Sequence, residues 1–203
     1  MQDNSANRQS TFTKRTFTMR SLLTSLSSVV LYGPVLIIAM LKPSTSRALR
    51  EKVMLGVNSV NECRYCSWLH TGLALKHGVN LDELEHLLDA GTFGTISERD
   101  ATAILFAQNF ADTQSNPTPE AKQALAKHFT AYQRLELSAY VHFMHFANLC
   151  GNSADAWLAR VRGWKVPNGH PVPEAIAGIL SAPILFIGWL RSRNSRPDAM
   201  KKL

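Results

Sequence analysis

The chain reads as an all-α domain, and three features of it say so. Apolar residues recur at three- and four-residue spacing from residue 44 onward, helix-starting Ser, Thr and Asn residues stand ahead of these runs, and no alternating stretch competes as a strand. With 203 residues, 45% of them hydrophobic and 18% charged, the chain is long and apolar enough to bury one core.

Residues 1–20 are polar and show no sustained period, which predicts a mobile basic tail. Ser21 to Leu41 contains no charged residue and tempts a membrane reading. Its Ser and Thr residues and the Gly33-Pro34 break instead predict two shorter buried pieces. A basic start before an apolar run also has the outline of a signal peptide, but no convincing small-x-small cleavage site follows. Ser44, Thr45 or Ser46 caps a helix carrying Leu49, Val53, Val57 and Val60, which turns at Asn61-Glu62 into a second helix from about Cys63 to His77, closed by Gly78. Asn80 caps 81–90, and Ser97 with Asp100 starts a helix to about Asp112. Thr118-Pro119 opens another, and Thr130 with Gln133 opens a long apolar helix through Leu149. A last apolar segment, 175–190, is interrupted by Pro183, and 191–203 forms a second basic tail. The expected organisation is therefore one helical domain over 21–190 between two tails.

The net charge of +7 does not indicate nucleic acid. Residues 1–20 contribute +3 and 191–203 contribute +4, so 21–190 is neutral and offers no basic face to a phosphate backbone. Three cysteines are too few for a disulfide scaffold, and the pair Cys63 and Cys66, three apart, points to redox or metal chemistry in a reducing, cytoplasmic setting. At a helix start both thiols share a face, and the free N–H groups of the first turn favour thiolate. His70, four residues after Cys66, lies over the same face. If the two helices are antiparallel about Asn61, Glu51 comes level with His70, since both helices rise about 1.5 Å per residue. A carboxylate beside an imidazole orients it as a base, so Glu51, His70 and Cys66 form a candidate proton relay with Cys63 as disulfide partner. Helix-start geometry favours Cys63 as the first thiolate and the relay favours Cys66; both assignments stay open here. A zinc site drawing on Cys63, Cys66, His70 and the His142-x-x-His145 pair is the competing reading, but it leaves Glu51 without a role. Otherwise His142 and His145 are expected in a core or interface, and Cys150 as a buried small hydrophobe.

At these residues the sequence resembles the alkylhydroperoxidase D-type (AhpD-like) branch of the carboxymuconolactone decarboxylase-like superfamily. The family pattern is a Glu, twelve residues to Cys-x-x-Cys, then x-x-x-His, and Glu51, Cys63, Cys66 and His70 reproduce it. The resemblance extends over roughly 44–160 and includes Asn148 and Gly151-Asn152. It implies an α-helical fold, a trimer or larger homo-oligomer, and reduction of a hydroperoxide or disulfide substrate through the cysteine pair. It further implies a protein redox partner; the expected reductant is a dithiol or a protein, and no cofactor or metal is expected. Some members carry a second His between the cysteines, where this chain has Tyr65. Attachment to a membrane surface through the apolar ends is the less favoured expectation, packing within a soluble oligomer the favoured one.

Overall fold

The computed structural model describes residues 11–88 and 96–181. Its elements are α1 (Met19–Leu41), α2 (Arg47–Asn61), α3 (Arg64–Lys76), α4 (Leu81–Leu88), α5 (Glu98–Asp112), α6 (Pro119–His128) and α7 (Ala131–Val161), followed by helical residues 171–181, here α8. The described residues contain no strand; Thr11 and Lys165 make an isolated parallel bridge. The fold is thus the all-α architecture expected of an AhpD-like domain.

The punctuation seen in the sequence sets most of the ends. Ser46, Ser97, Thr118 and Thr130 each accept a backbone N–H at the start of α2, α5, α6 and α7, and Thr130 with Gln133 closes a reciprocal capping box. Helix α7 runs well past Leu149, to Val161. Pro183 and the rest of the apolar segment after Ser181 lie outside the described residues.

Helix α2 is the axis of the molecule. It packs against α3, α4, α5 and α7, and ten of its fifteen residues are buried, including Glu51 and Lys52. Burying Lys52 is tolerated because its ammonium pairs with Glu83 at 2.7 Å and Asp100 at 3.2 Å. On one side of α2, Val53, Val57, Phe106, Phe110, Leu137, Tyr140 and Met144 form the main core; on the other, Leu55, Ala74, Val79, Leu84 and Ile104 form a smaller one. The turn entering α2 is held from α7 by Glu136, which is fully buried. Its carboxylate accepts from the backbone N–H and hydroxyl groups of Ser44 and Thr45 and from the Tyr140 hydroxyl. Burial alone would raise this carboxyl, but those donors hold it below the usual range.

Two expectations are corrected. Ser21–Leu41 does not form two buried pieces: α1 is one helix through Gly33-Pro34, started by a Thr18–Ser21 capping box. Packing along α7 keeps it continuous despite the bond that Pro34 cannot donate. Nor is it buried, since only Leu22, Ser25 and Ala39 reach that class while Val30, Leu31 and Leu41 are 71%, 73% and 77% exposed. The tail expected over 1–20 is docked from residue 11 onward. Phe17 is fully buried among Leu22, Leu149, Cys150 and Ala177, and its N–H donates to Ser153 Oγ at 3.1 Å. Lys14 donates to the Glu62 carbonyl at 2.6 Å, Arg15 to the Ala111 carbonyl at 2.9 Å, and Asn152 Nδ2 to the Arg15 carbonyl at 3.1 Å.

Candidate active site

The site is built where α2 hands the chain to α3. Glu62 ends α2 in the left-handed region at φ 56°, and Cys63 follows as the residue capping α3, with its carbonyl accepting from Ser67. This tight reversal makes α2 and α3 an antiparallel pair. Cys63 and Cys66 then lie one turn apart, both free, with their sulfurs 3.2 Å apart in hydrogen-bond contact. A disulfide would need about 2.05 Å, a small approach. Cys63 is fully buried and Cys66 partly exposed.

The two thiols share their charge unequally. The hydrogen bond from Cys66 lowers the Cys63 thiol below its ordinary range; burial opposes this, and the N–H groups of Cys66 and Tyr65 reinforce it. Cys66 is pushed well up, by the same hydrogen bond, by burial and by the Cys63 charge, with Asn148 acting in the opposite direction. The pair therefore loses one proton easily and a second with great difficulty. Cys150 stands apart, its thiol pushed up to about 12 by burial and the nearby Cys63.

Glu51 and His70 meet as the hairpin geometry requires, with His70 Nδ1 2.7 Å from Glu51 Oε2. Arg50 donates to the other oxygen from Nε at 2.9 Å and Nη2 at 2.7 Å. Burial pushes the Glu51 carboxyl up, but the His70 and Arg50 hydrogen bonds and charges outweigh it and hold it low. An ionised Glu51 can only accept, so the imidazole carries its proton on Nδ1 and leaves Nε2 free to take another. No direct hydrogen bond joins His70 to either cysteine; the structure unites Glu51 with His70 and Cys63 with Cys66 as two pairs.

Several residues that bear on the thiols were not singled out as site residues from the sequence. Asn148 on α7 is fully buried and hydrogen-bonds Cys66. Its Nδ2 also donates to Asn58 Oδ1 at 3.2 Å, while its Oδ1 accepts from Asn61 Nδ2 at 3.4 Å. Asn61 Nδ2 lies 3.1 Å from His145 Nδ1, and Asn152 Nδ2 donates to the Asn61 carbonyl at 2.7 Å. The available signal was the spacing of Asn58 with Asn61 and Asn148 with Asn152, which sets amides at helical intervals on buried faces. Beyond Cys63, Tyr65 donates to Asp155 at 2.8 Å, and Arg64 reaches both Tyr65 and Asp155 at 2.7 Å, which ties the first turn of α3 to α7. Burial and the Asp155 carboxylate raise the Tyr65 hydroxyl, so it stays a donor. Gly151 lies beneath: a Cβ there would sit 2.7 Å from Cys63 Sγ and 3.3 Å from the Tyr65 ring.

The two histidines of the competing zinc reading are packing residues. His142 stacks on Tyr32 at 4.4 Å and meets the edge of Phe110 at 4.6 Å, and His145 meets Phe110 at 5.7 Å. Burial lowers both imidazoles to about 4, His142 and Arg15 adding to the effect at His145. Among the described residues, no group of three or more His, Cys, Asp or Glu side chains is arranged to hold a metal ion.

Residues 36–108, from the second half of α1 to α5, match the model of the carboxymuconolactone decarboxylase family. No curated protein and no solved structure matches the chain. The matched segment contains Glu51, both site cysteines and His70. Over residues 36–108 the chain is thus similar to the carboxymuconolactone decarboxylase family, the superfamily that includes AhpD-like proteins.

Proposed function

We propose that the chain is a thiol-dependent peroxidase or disulfide reductase of the alkylhydroperoxidase D type. The observation that carries this reading is the 3.2 Å Cys63–Cys66 contact beside a hydrogen-bonded Glu51–His70 couple. Accessibility makes Cys66 the attacking sulfur, since Cys63 is sealed from solvent. Ionisation of the pair sends one proton to His70 Nε2. The proton that remains passes from Cys66 to Cys63, and Asn148 steadies the charge on Cys66.

With a hydroperoxide, the Cys66 thiolate takes the terminal oxygen, the O–O bond breaks, and the alkoxide leaves with the proton held by His70. The Cys63 thiol then attacks the Cys66 sulfenic acid, giving the disulfide and water. With a disulfide substrate, Cys66 forms the mixed disulfide and Cys63 resolves it, releasing two thiols. An external dithiol or reduced protein restores the pair in either case.

The test is a thiol count on the native protein before and after one equivalent of hydrogen peroxide or an organic hydroperoxide. Two thiols should disappear into a Cys63–Cys66 disulfide and Cys150 should remain titratable. Loss of Cys150 ahead of the pair refutes the assignment. Glu51→Gln and His70→Ala should each slow the reaction near neutral pH by roughly 10²- to 10⁴-fold, the usual contribution of general acid–base assistance.

A further inference from the structure

We infer that α1 is a membrane-docking element that lays its exposed face on an anionic lipid surface. The helix has 23 residues and contains an 18-residue window of mean hydropathy 2.0 of which only 17% is buried within the fold. Leu23, Leu26, Val30, Leu31, Ile37 and Leu41 are all exposed. A contiguous apolar surface of this extent marks an interaction site.

Three hydroxyls of that helix are already satisfied by its own backbone. Thr24 Oγ1 donates to the Arg20 carbonyl at 3.0 Å, Ser27 Oγ to the Thr24 carbonyl at 2.8 Å, and Ser28 Oγ to the same carbonyl at 2.9 Å. Hydroxyls turned back onto their own helix enter an apolar medium without losing a partner. Because α1 also packs along α7, with Leu22, Ser25 and Ala39 buried, it lies in the plane of the surface and does not cross it.

Charge selects the partner. The first 50 residues hold seven Lys and Arg against the single acid Asp3. Arg20 and Lys42 bracket α1 and Arg47 follows closely; all three are exposed and have no acidic partner among the described residues. Pairing α1 with its copy would set Arg20 against Lys42 in an antiparallel contact, or each against itself in a parallel one. Anionic headgroups supply the missing negative charge and the acyl region receives the apolar face.

The experiment is co-sedimentation of the full-length reduced protein with vesicles of phosphatidylcholine, with or without phosphatidylglycerol, paired with sedimentation velocity in the absence of lipid. The protein should pellet with the anionic vesicles only, and high salt should reverse this in part. Replacing Arg20, Lys42 and Arg47 together by Gln should weaken binding about 100-fold at low salt, at about 1 kcal/mol for each basic residue near the surface. Leu31→Glu with Ile37→Glu, both at exposed positions, should abolish it. Neither set touches the thiol site, so the peroxide thiol count should be unchanged in both; membrane docking and redox chemistry therefore fail or stand separately. Failure to bind anionic vesicles overturns the inference. So does a lipid-free oligomer that the Leu31→Glu, Ile37→Glu variant dissolves and that excludes vesicles, which would give this face to a second copy.

Discussion

Replacing Gly151 by Ala sets two effects of opposite sign against each other, and the structure decides between them. In an open helical position the change is favourable by about 1 kcal/mol, because Gly gives up more backbone freedom on folding than Ala. At Gly151 the added methyl carbon would lie 2.7 Å from Cys63 Sγ, about 1 Å inside an ordinary carbon–sulfur contact, and 3.3 Å from the Tyr65 ring. Overpacking a tight site costs about 1–3 kcal/mol, so the net result should be a loss of about 0–2 kcal/mol. Gly72 on α3 supplies the control: a methyl group added there would meet nothing within 4 Å, and Gly72→Ala should gain about 0.5–1 kcal/mol. Urea unfolding under reducing conditions measures both. A second reading comes from the thiols, since Cys63 must move away from α7 and the 3.2 Å sulfur contact must change with it. Alkylation of the pair near neutral pH should alter in Gly151→Ala and stay at the parent rate in Gly72→Ala. If the two substitutions stabilise equally and the thiols react alike, the close approach of α3 to α7 is not as described.

Acid should destabilise the fold in two stages. His145 is buried neutral, its imidazole lowered to about 4 against an ordinary 6.5, so the unfolded chain takes up the proton first as pH falls. Stability should drop by about 3 kcal/mol between those values, with a smaller share from His142, and His145→Gln should flatten that slope in urea titrations at successive pH. Glu51 and Glu136, both held low, act further down: their contribution is present above 4.5 and is lost as pH falls through their folded values. Asn148→Ala removes the hydrogen bond to Cys66 and the partners of Asn58 and Asn61. The pH midpoint of thiol alkylation should rise, and stability should fall by about 1–3 kcal/mol. An unmoved midpoint would separate Asn148 from the thiols.

How much was legible depended on how local the cause was. Ser46, Thr118 and Thr130 act on N–H groups three residues away, and their positions in the sequence announce the helices they start. The Glu51–His70 contact was also within reach, because a short turn between two helices makes register simple arithmetic. What escaped was set by packing across long sequence distances. Pro34 suggested a break, yet α7, about a hundred residues later, supplies the surface that keeps α1 continuous. The polar residues 11–18 carry no period, and only the fold reveals the slot for Phe17. Nor could Asn148 be tied to Cys66 from spacing, since α3 and α7 meet only because both pack on α2.

The docking of residues 14–17 changes what counts as the edge of the domain. Lys14 holds the last turn before Cys63, Arg15 the end of α5, and Phe17 fills the hollow behind Cys150. A boundary drawn by hydropathy at residue 21 would leave the helices nominally intact while uncapping α1 at Thr18 and opening that hollow to water. Cys150 would then meet solvent and the Glu62 carbonyl, next to Cys63, would lose its Lys14 donor, so a fragment trimmed for convenience would report on an altered site. The segment is a stopper, and its removal would be felt first at the cysteines.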